Sequence, residues 1–288
     1  MTFQLVETPT GTDLILTGAW SQVAAVPFIE GRADGLVLNY TAGFKEPDLA
    51  FLVGLPVRRL QVLDRTITDL SPVYGLADHL VSLRVQSDPQ ATIELERLPS
   101  LKVLAADWQQ VQGSIRFAPQ LERLFLGHYS APDFTALEAL SSIVSVVMKD
   151  YPQVRSLDGI EDMPWLVELG VHLAKDLEDI TALQRSSSPV LEILQLPSCR
   201  KVADIAAVAS CTSLRFFELS EGAEIPTVAP LAGLDGLERL YLYGSTKIAD
   251  GDLGPIALLP RLRDFRIQNR RGYTPPVKEI QDAIARRG

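Results

Sequence analysis

The chain has 288 residues, 47% hydrophobic and 22% charged, a composition that fits a folded protein and not a disordered segment. Its 36 acidic residues outnumber 27 basic ones, giving a formal net charge of -9. That balance speaks against a nucleic-acid partner, because such binding draws on surplus Lys and Arg to neutralise phosphates. Two cysteines, Cys199 and Cys211, are too few for a disulfide framework and fit a reducing compartment. No apolar run approaches the roughly 18 residues of a membrane span, and the start MTFQLVETPTG lacks a basic segment followed by an apolar one. A soluble cytoplasmic protein with no membrane partner is expected. An excess of 20 Arg over 7 Lys gives the composition a bacterial look.

Residues 1–32 open with two strand-like runs, Phe3–Val6 and Leu14–Leu16, separated by the turn-rich ETPTGTD. This spacing predicts a hairpin. An apolar segment from Gln22 to Ile29, interrupted by Pro27, follows. Thirty-odd residues hardly support a core of their own, so the segment reads as a cap of a hairpin and a short helix on whatever comes next.

From Ala33 onward the chain repeats. The pattern apolar-x-x-apolar-x-apolar begins at Ala33, Val57, Leu80, Leu101, Leu121, Ile143, Leu166, Leu191, Leu214, Leu237 and Leu262, and 43 leucines feed it. From Val57 to Leu262 the steps run between 20 and 25 residues. The last two apolar positions of each hexad are two apart, which is strand spacing with both side chains on one face. The following half changes to a period of three, as in Leu177, Ile180 and Leu183 or Val202, Ile205 and Val208. A 3₁₀ or short helical turn has that period. Just before the first apolar residue of each turn stands Asp48, Asp69, Asp133, Ser156, Asp179, Asp204 or Thr227, oxygen-bearing side chains suited to capping the turn's free N–H groups. One line cannot enclose its own apolar face, so successive lines must stack into a solenoid. The lines from Leu80 and Leu101 are the least regular, and uneven curvature is expected there. The repeats extend over residues 33–271. In residues 272–288, Val277, Ile280 and Ile284 fall on one helical face, which predicts a closing amphipathic helix.

This pattern resembles the leucine-rich repeat family, especially its short-repeat, internalin-like class, whose repeat runs roughly LxxLxLxxNxIxDIxxLxxLxxL. The line VRRLQVLDRTITDLSPVYGLADH from Val57 matches it well. LVELGVHLAKDLEDITAL from Leu166 matches with one extra residue. The resemblance covers about residues 33–284. It implies an α/β solenoid, an arc with a parallel β-sheet on the concave face and short 3₁₀ or helical turns on the convex face. The chain departs from the family at the Asn position, where it carries residues such as Tyr129, Ala174, Cys199, Gly222 and Ser245. The backbone groups at that bend then need other partners, main chain or water.

Motifs of chemistry are missing. There is no GxxxxGK[ST] phosphate loop, no GxGxxG after a strand and no GxSxG elbow. His79, His128 and His172 stand in no metal-binding spacing, and Cys199 and Cys211 lack CxxC partners. Cys199 reads as a buried structural thiol. No catalytic residue, cofactor or metal is expected.

Function is therefore sought on the sheet face that points away from the core. The residue between the two strand apolars is Gln61, Arg84, Ala105, Phe125, Val147, Gly170, Gln195, Glu218, Tyr241 or Arg266. Aromatic and Arg side chains dominate binding energy at protein interfaces, and two groups stand out. Trp108, Phe125, His128 and Tyr129 fall on adjacent lines, extended by Lys149, Asp150 and His172. Glu218, Tyr241, Tyr243 and Arg266 form the second. The expected role is noncatalytic recognition of a protein partner by a monomer through the concave face. The resemblance adds adaptor, inhibitor or immunity-type roles. Two alternatives stay open: an enzyme or its regulatory subunit with a site around His128, Lys149, Asp150 and His172, or a carbohydrate or peptide reader.

Overall fold

The computed structural model describes residues 2–186, 188 and 190–287, and the chain divides into two compact units, Met1–Leu126 and Gly127–Gly288. In the first unit the sheet runs in chain order through β1 (Phe3–Thr8), β2 (Gly11–Leu16), β3 (Gly35–Asn39), β4 (Arg59–Leu63), β5 (Ser82–Val85), β6 (Val103–Asp107) and β7 (Arg123–Gly127), where the division falls. The pair β1–β2 is an antiparallel hairpin, as the sequence suggests. From β2 to β6 every pairing is parallel. Leu14 and Leu16 on β2 lie in register with Leu36 and Leu38 on β3, and all four are fully buried. The leucine ladder thus starts one strand before the first sequence repeat. Between β2 and β3 the chain makes a 3₁₀ turn, Gln22–Ala25, and a short helix, Val26–Ile29, with Pro27 in its first turn, where a missing N–H costs nothing.

The second unit contains β8 (Ser145–Lys149), β9 (Glu168–Val171), β10 (Ile193–Gln195), β11 (Phe216–Glu218), β12 (Glu224–Ile225), β13 (Arg239–Leu242), β14 (Lys247–Ile248) and β15 (Asp264–Ile267). Its main sheet has the order β8-β9-β10-β11-β13-β15 and is parallel throughout. β12 and β14 form a separate two-stranded parallel pair that the sequence periodicity did not announce.

Alternation explains the strands. Leu194, Leu240 and Leu242 point inward with no exposure while Gln195, Arg239 and Tyr241 point outward. Each fully buried aliphatic side chain contributes roughly 1.5–3 kcal/mol. The return half of each coil is a short 3₁₀ turn, such as Ala50–Leu52, Thr181–Gln184 or Ala206–Ser210. Six of the seven oxygen-bearing residues singled out above take the expected role. Asp48, Asp69, Asp133, Asp179, Asp204 and Thr227 accept the N–H two residues on, the first of the turn, at 2.7–3.1 Å. Ser156 accepts the Asp158 N–H at 3.4 Å, two residues ahead of the 3₁₀ turn Ile160–Asp162. Asp252 belongs to the same series at 2.8 Å from Gly254 N.

The bend after the strand is solved differently in the two units. In the first, Asn39, Asp64 and Asp88 accept the N–H two residues on. In the second, residues at the bend take a left-handed conformation: His128, Asp150 with Tyr151, Leu173, Ser198, Glu221 and Gly244, at φ 52–76°. Four of these donate their N–H to the next coil's main chain: His128 to Lys149, Leu173 to Pro197, Ser198 to Ser220 and Glu221 to Tyr243, at 2.7–3.2 Å. Main-chain partners replace the family's Asn here, as the departure from its pattern required. Side chains contribute too: Cys199 Sγ donates to Val171 O at 3.2 Å and Thr246 Oγ1 to Leu219 O at 2.6 Å.

At the C-terminal end, Val277–Ala285 is helical and buries Val277 and Ile280, with Ile284 half-buried. Gln281 donates to Phe265 O at 3.1 Å. Among the described residues no helix is long and apolar enough to cross a membrane.

Candidate functional site

Two members of the first residue group are not on the surface. Trp108 is only 6% exposed. β6 ends at Asp107, and Trp108–Val111 is a helical turn in which Gln110 Oε1 accepts the Asp107 N–H. The parity of β6 already points Trp108 inward: Leu104, Ala106 and Trp108 are two apart and all three are buried. Tyr129 is fully buried and its hydroxyl donates to Asp133 O at 2.7 Å. Burial pushes that hydroxyl's pKa well above the ordinary tyrosine value. Standing at the family's Asn position, it fills the interior. Neither side chain presents itself to a partner. Phe125, in the first unit, is half-buried.

In the second unit His128, Lys149 and Asp150 are exposed, and His172 is half-buried. The His172 Nε2 is buried without a hydrogen-bond partner among the described residues. Its ring lies over Gly170, where a Cβ would sit 3.0 Å from Nε2. Burial, reinforced by the Lys149 charge and opposed by Glu168, lowers the His172 pKa to about 4. The ring is neutral at pH 7. No group of three or more His, Cys, Asp or Glu suited to a metal ion occurs among the described residues. Cys199 is buried, and desolvation pushes its thiol up to about 12, far from the thiolate that nucleophilic chemistry uses.

The second residue group is brought together. Strand register aligns Gln195, Glu218, Tyr241 and Arg266 in one outward row across β10, β11, β13 and β15. The adjoining row holds Phe216, Arg239 and Asp264, which the sequence reading did not select. The signal was available: Arg239, Tyr241 and Tyr243 are spaced by two, so all three share a strand's outward face.

These residues interlock. Phe216 and Tyr241 pack edge to face with centroids 4.9 Å apart. Arg239 lies over Phe216 at 4.4 Å and Arg266 over Tyr241 at 4.4 Å, geometry that favours cation–π attraction. Tyr241 donates its hydroxyl to Asp264 Oδ2 at 2.6 Å. Arg266 donates through Nε and Nη2 to both oxygens of Asp264, at 3.0 and 2.8 Å. These Arg266 bonds hold the Asp264 carboxyl below its ordinary range, and Tyr241, bound to that carboxylate, titrates higher than usual. Gln195 Nε2 donates to Glu218 at 3.0 Å. Tyr243 stays 49% exposed. Beside it, Tyr243, Gly244, Arg266, Ile267, Gln268 and Gln281 line an open hollow of about 590 Å³. The result is a pre-ordered aromatic and guanidinium platform with little rotamer freedom left to lose on binding.

The parallel ladder, short helical turns in the return half of the coils and a repeat of about 23 residues define a leucine-rich-repeat fold. One solved structure supports this fold. An internalin from Listeria monocytogenes superposes with a TM-score of 0.62 at 18% identity, over 91% of this chain and 84% of that one. Internalin C2 of the same organism gives 0.45 at 17% identity over 74% and 81%. A leucine-rich-repeat protein of Leptospira interrogans gives 0.43 at 16% over 88% and 82%. Neither protein-family models nor curated proteins yield a match to this sequence.

Proposed function

We propose that this chain is a noncatalytic protein-recognition module that grips its partner with the outward sheet face of the second unit, centred on Tyr241, Tyr243 and Arg266. The interlocked platform of Phe216, Arg239, Tyr241, Asp264 and Arg266 carries the reading. Tyr and Arg are the residue types that concentrate binding energy, and pre-ordering lowers the entropic cost of using them. Glu218 on the same row, with His128, Lys149, Asp150 and His172 elsewhere in the second unit and Phe125 in the first, are proposed as secondary contacts. The two buried free thiols suit a reducing cytoplasm, and a monomer is the proposed working state.

The test is affinity capture from a lysate of the source organism with wild type against Tyr243→Ala/Arg266→Ala. A partner bound by wild type and lost by the variant, with unchanged circular dichroism, supports the proposal. Equal retention by both overturns this placement.

A further inference from the structure

The first unit carries a second feature of opposite character. On the outward side of β4, β5 and β6 lies an open hollow of about 670 Å³, inside the range of sites that hold small or peptide ligands. Register explains its shape. Gln61, Arg84 and Ala105 share one row, and Arg59, Ser82 and Val103 the next. Short side chains at Ser82 and Ala105 leave a floor, and arginines rise around it. Four arginines, Arg58, Arg59, Arg84 and Arg123, line the hollow against two aspartates, Asp13 and Asp34.

The charges are not equally engaged. Arg59 is held by both aspartates, donating to Asp13 at 2.8 Å and to Asp34 at 2.5 Å, and donates to Thr10 O at 2.7 Å. The three form one partly buried cluster in which both aspartates of the lining are engaged. Arg58 and Arg84 are exposed, and among the described residues neither makes an ion pair or side-chain hydrogen bond. Counted as formal charges, the four arginines and two aspartates of the lining leave an excess of two positive charges in a chain whose formal net charge is -9.

We infer that this hollow binds an acidic segment of a partner protein, with Arg58 and Arg84 taking its Asp or Glu carboxylates. A guanidinium presents a fork of donors that matches a carboxylate. A polynucleotide fits less well. Its phosphates would continue past the hollow onto an acidic molecule, where each further charge is repelled. A lone anion would leave most of the volume empty. The inference rests on the protein-recognition reading but uses a different patch and different residues.

The experiment is a fluorescence-anisotropy titration of a fluorescein-labelled peptide of six glutamates with the full chain at low salt. Wild type is expected to bind saturably and to weaken as salt rises. Arg58→Gln/Arg84→Gln is expected to lose about tenfold or more in affinity with an unchanged thermal melt. Arg271→Gln/Lys278→Gln, which removes the same net charge elsewhere, is expected to bind like wild type. No binding by wild type, or equal loss in both variants, overturns the assignment. So does tighter binding of a labelled twelve-base deoxythymidine oligonucleotide that Arg58→Gln/Arg84→Gln abolishes. If the titration fails while lysate capture still depends on Tyr243 and Arg266, only this assignment falls. If capture fails while the peptide still discriminates the arginines, only the platform proposal does.

Discussion

Thr246 shows how a single side chain stands in for the missing Asn of the repeat. It is fully buried, donates to Leu219 O at 2.6 Å and accepts from Gly222 N at 2.9 Å. Thr246→Val keeps the shape but leaves a buried carbonyl and a buried N–H without partners, each worth about 1–3 kcal/mol. Chemical denaturation should show a loss of at least about 2 kcal/mol for Thr246→Val and little for Thr246→Ser. Equal losses would mean that packing and not the hydrogen bonds sets the cost. His172 offers a test with a sign. Its folded pKa of about 4 lies below the unfolded value of about 6.5, so the unfolded chain takes up the proton first. Its contribution is complete above about pH 6.5 and is lost as pH falls toward 4. Allowing for residual solvent contact, His172→Gln should gain on wild type by about 1 kcal/mol between pH 7 and pH 5 in urea unfolding. A gap that stays constant across that range would contradict the burial-driven shift. At this scale the sequence was uneven. Cys199 was legible as a buried thiol because its register position is an interior one. Trp108 was assigned to the outward face although its spacing of two from Ala106 and four from Leu104 put it on the inward one.

The elements were the most legible layer, because period-two alternation and a period-three stripe are direct consequences of strand and 3₁₀ geometry. The oxygen-bearing residue before each turn carried information beyond hydrophobicity. At Asp179 the carboxylate accepts both the N–H and the hydroxyl of Thr181, at 2.8 and 2.7 Å, and these bonds hold its pKa below the ordinary value. Asp179→Ala should cost about 1 kcal/mol and Asp179→Asn much less. The corresponding loss at Asp48, in the first unit, should add independently, because the two sites share no partner. Thermal melts of the two single variants and the double variant measure this, and marked non-additivity would show that the caps do not act coil by coil. Backbone handedness was the illegible part. Leu173 at φ 63° has a residue type that avoids that region, and only the bond from its N–H to Pro197 O shows why it is held there. The platform was half legible for a related reason: Tyr241 and Arg266 sit in the row that was counted, while Phe216, Arg239 and Asp264 sit in the neighbouring one.

At the scale of the whole molecule, the two parts carry patches of different chemistry, one aromatic and one cationic, on a chain that is acidic in sum. Such a division is open to a solenoid, because each coil answers chiefly to its neighbours and its outward residues are free of core duties. The same locality makes the final helix testable. Val277 and Ile280 are buried, Gln281 bonds to Phe265 O on β15, and the Tyr273 hydroxyl accepts the Ile248 N–H at 3.1 Å. Ile280→Asp places a charge in that contact, where burial without a partner is costly. Hydrogen exchange should then quicken in residues 239–287 while protection in residues 36–104 changes little. A uniform acceleration along the chain would instead show one cooperative unit, and the nearest-neighbour account of its stability would have to be abandoned.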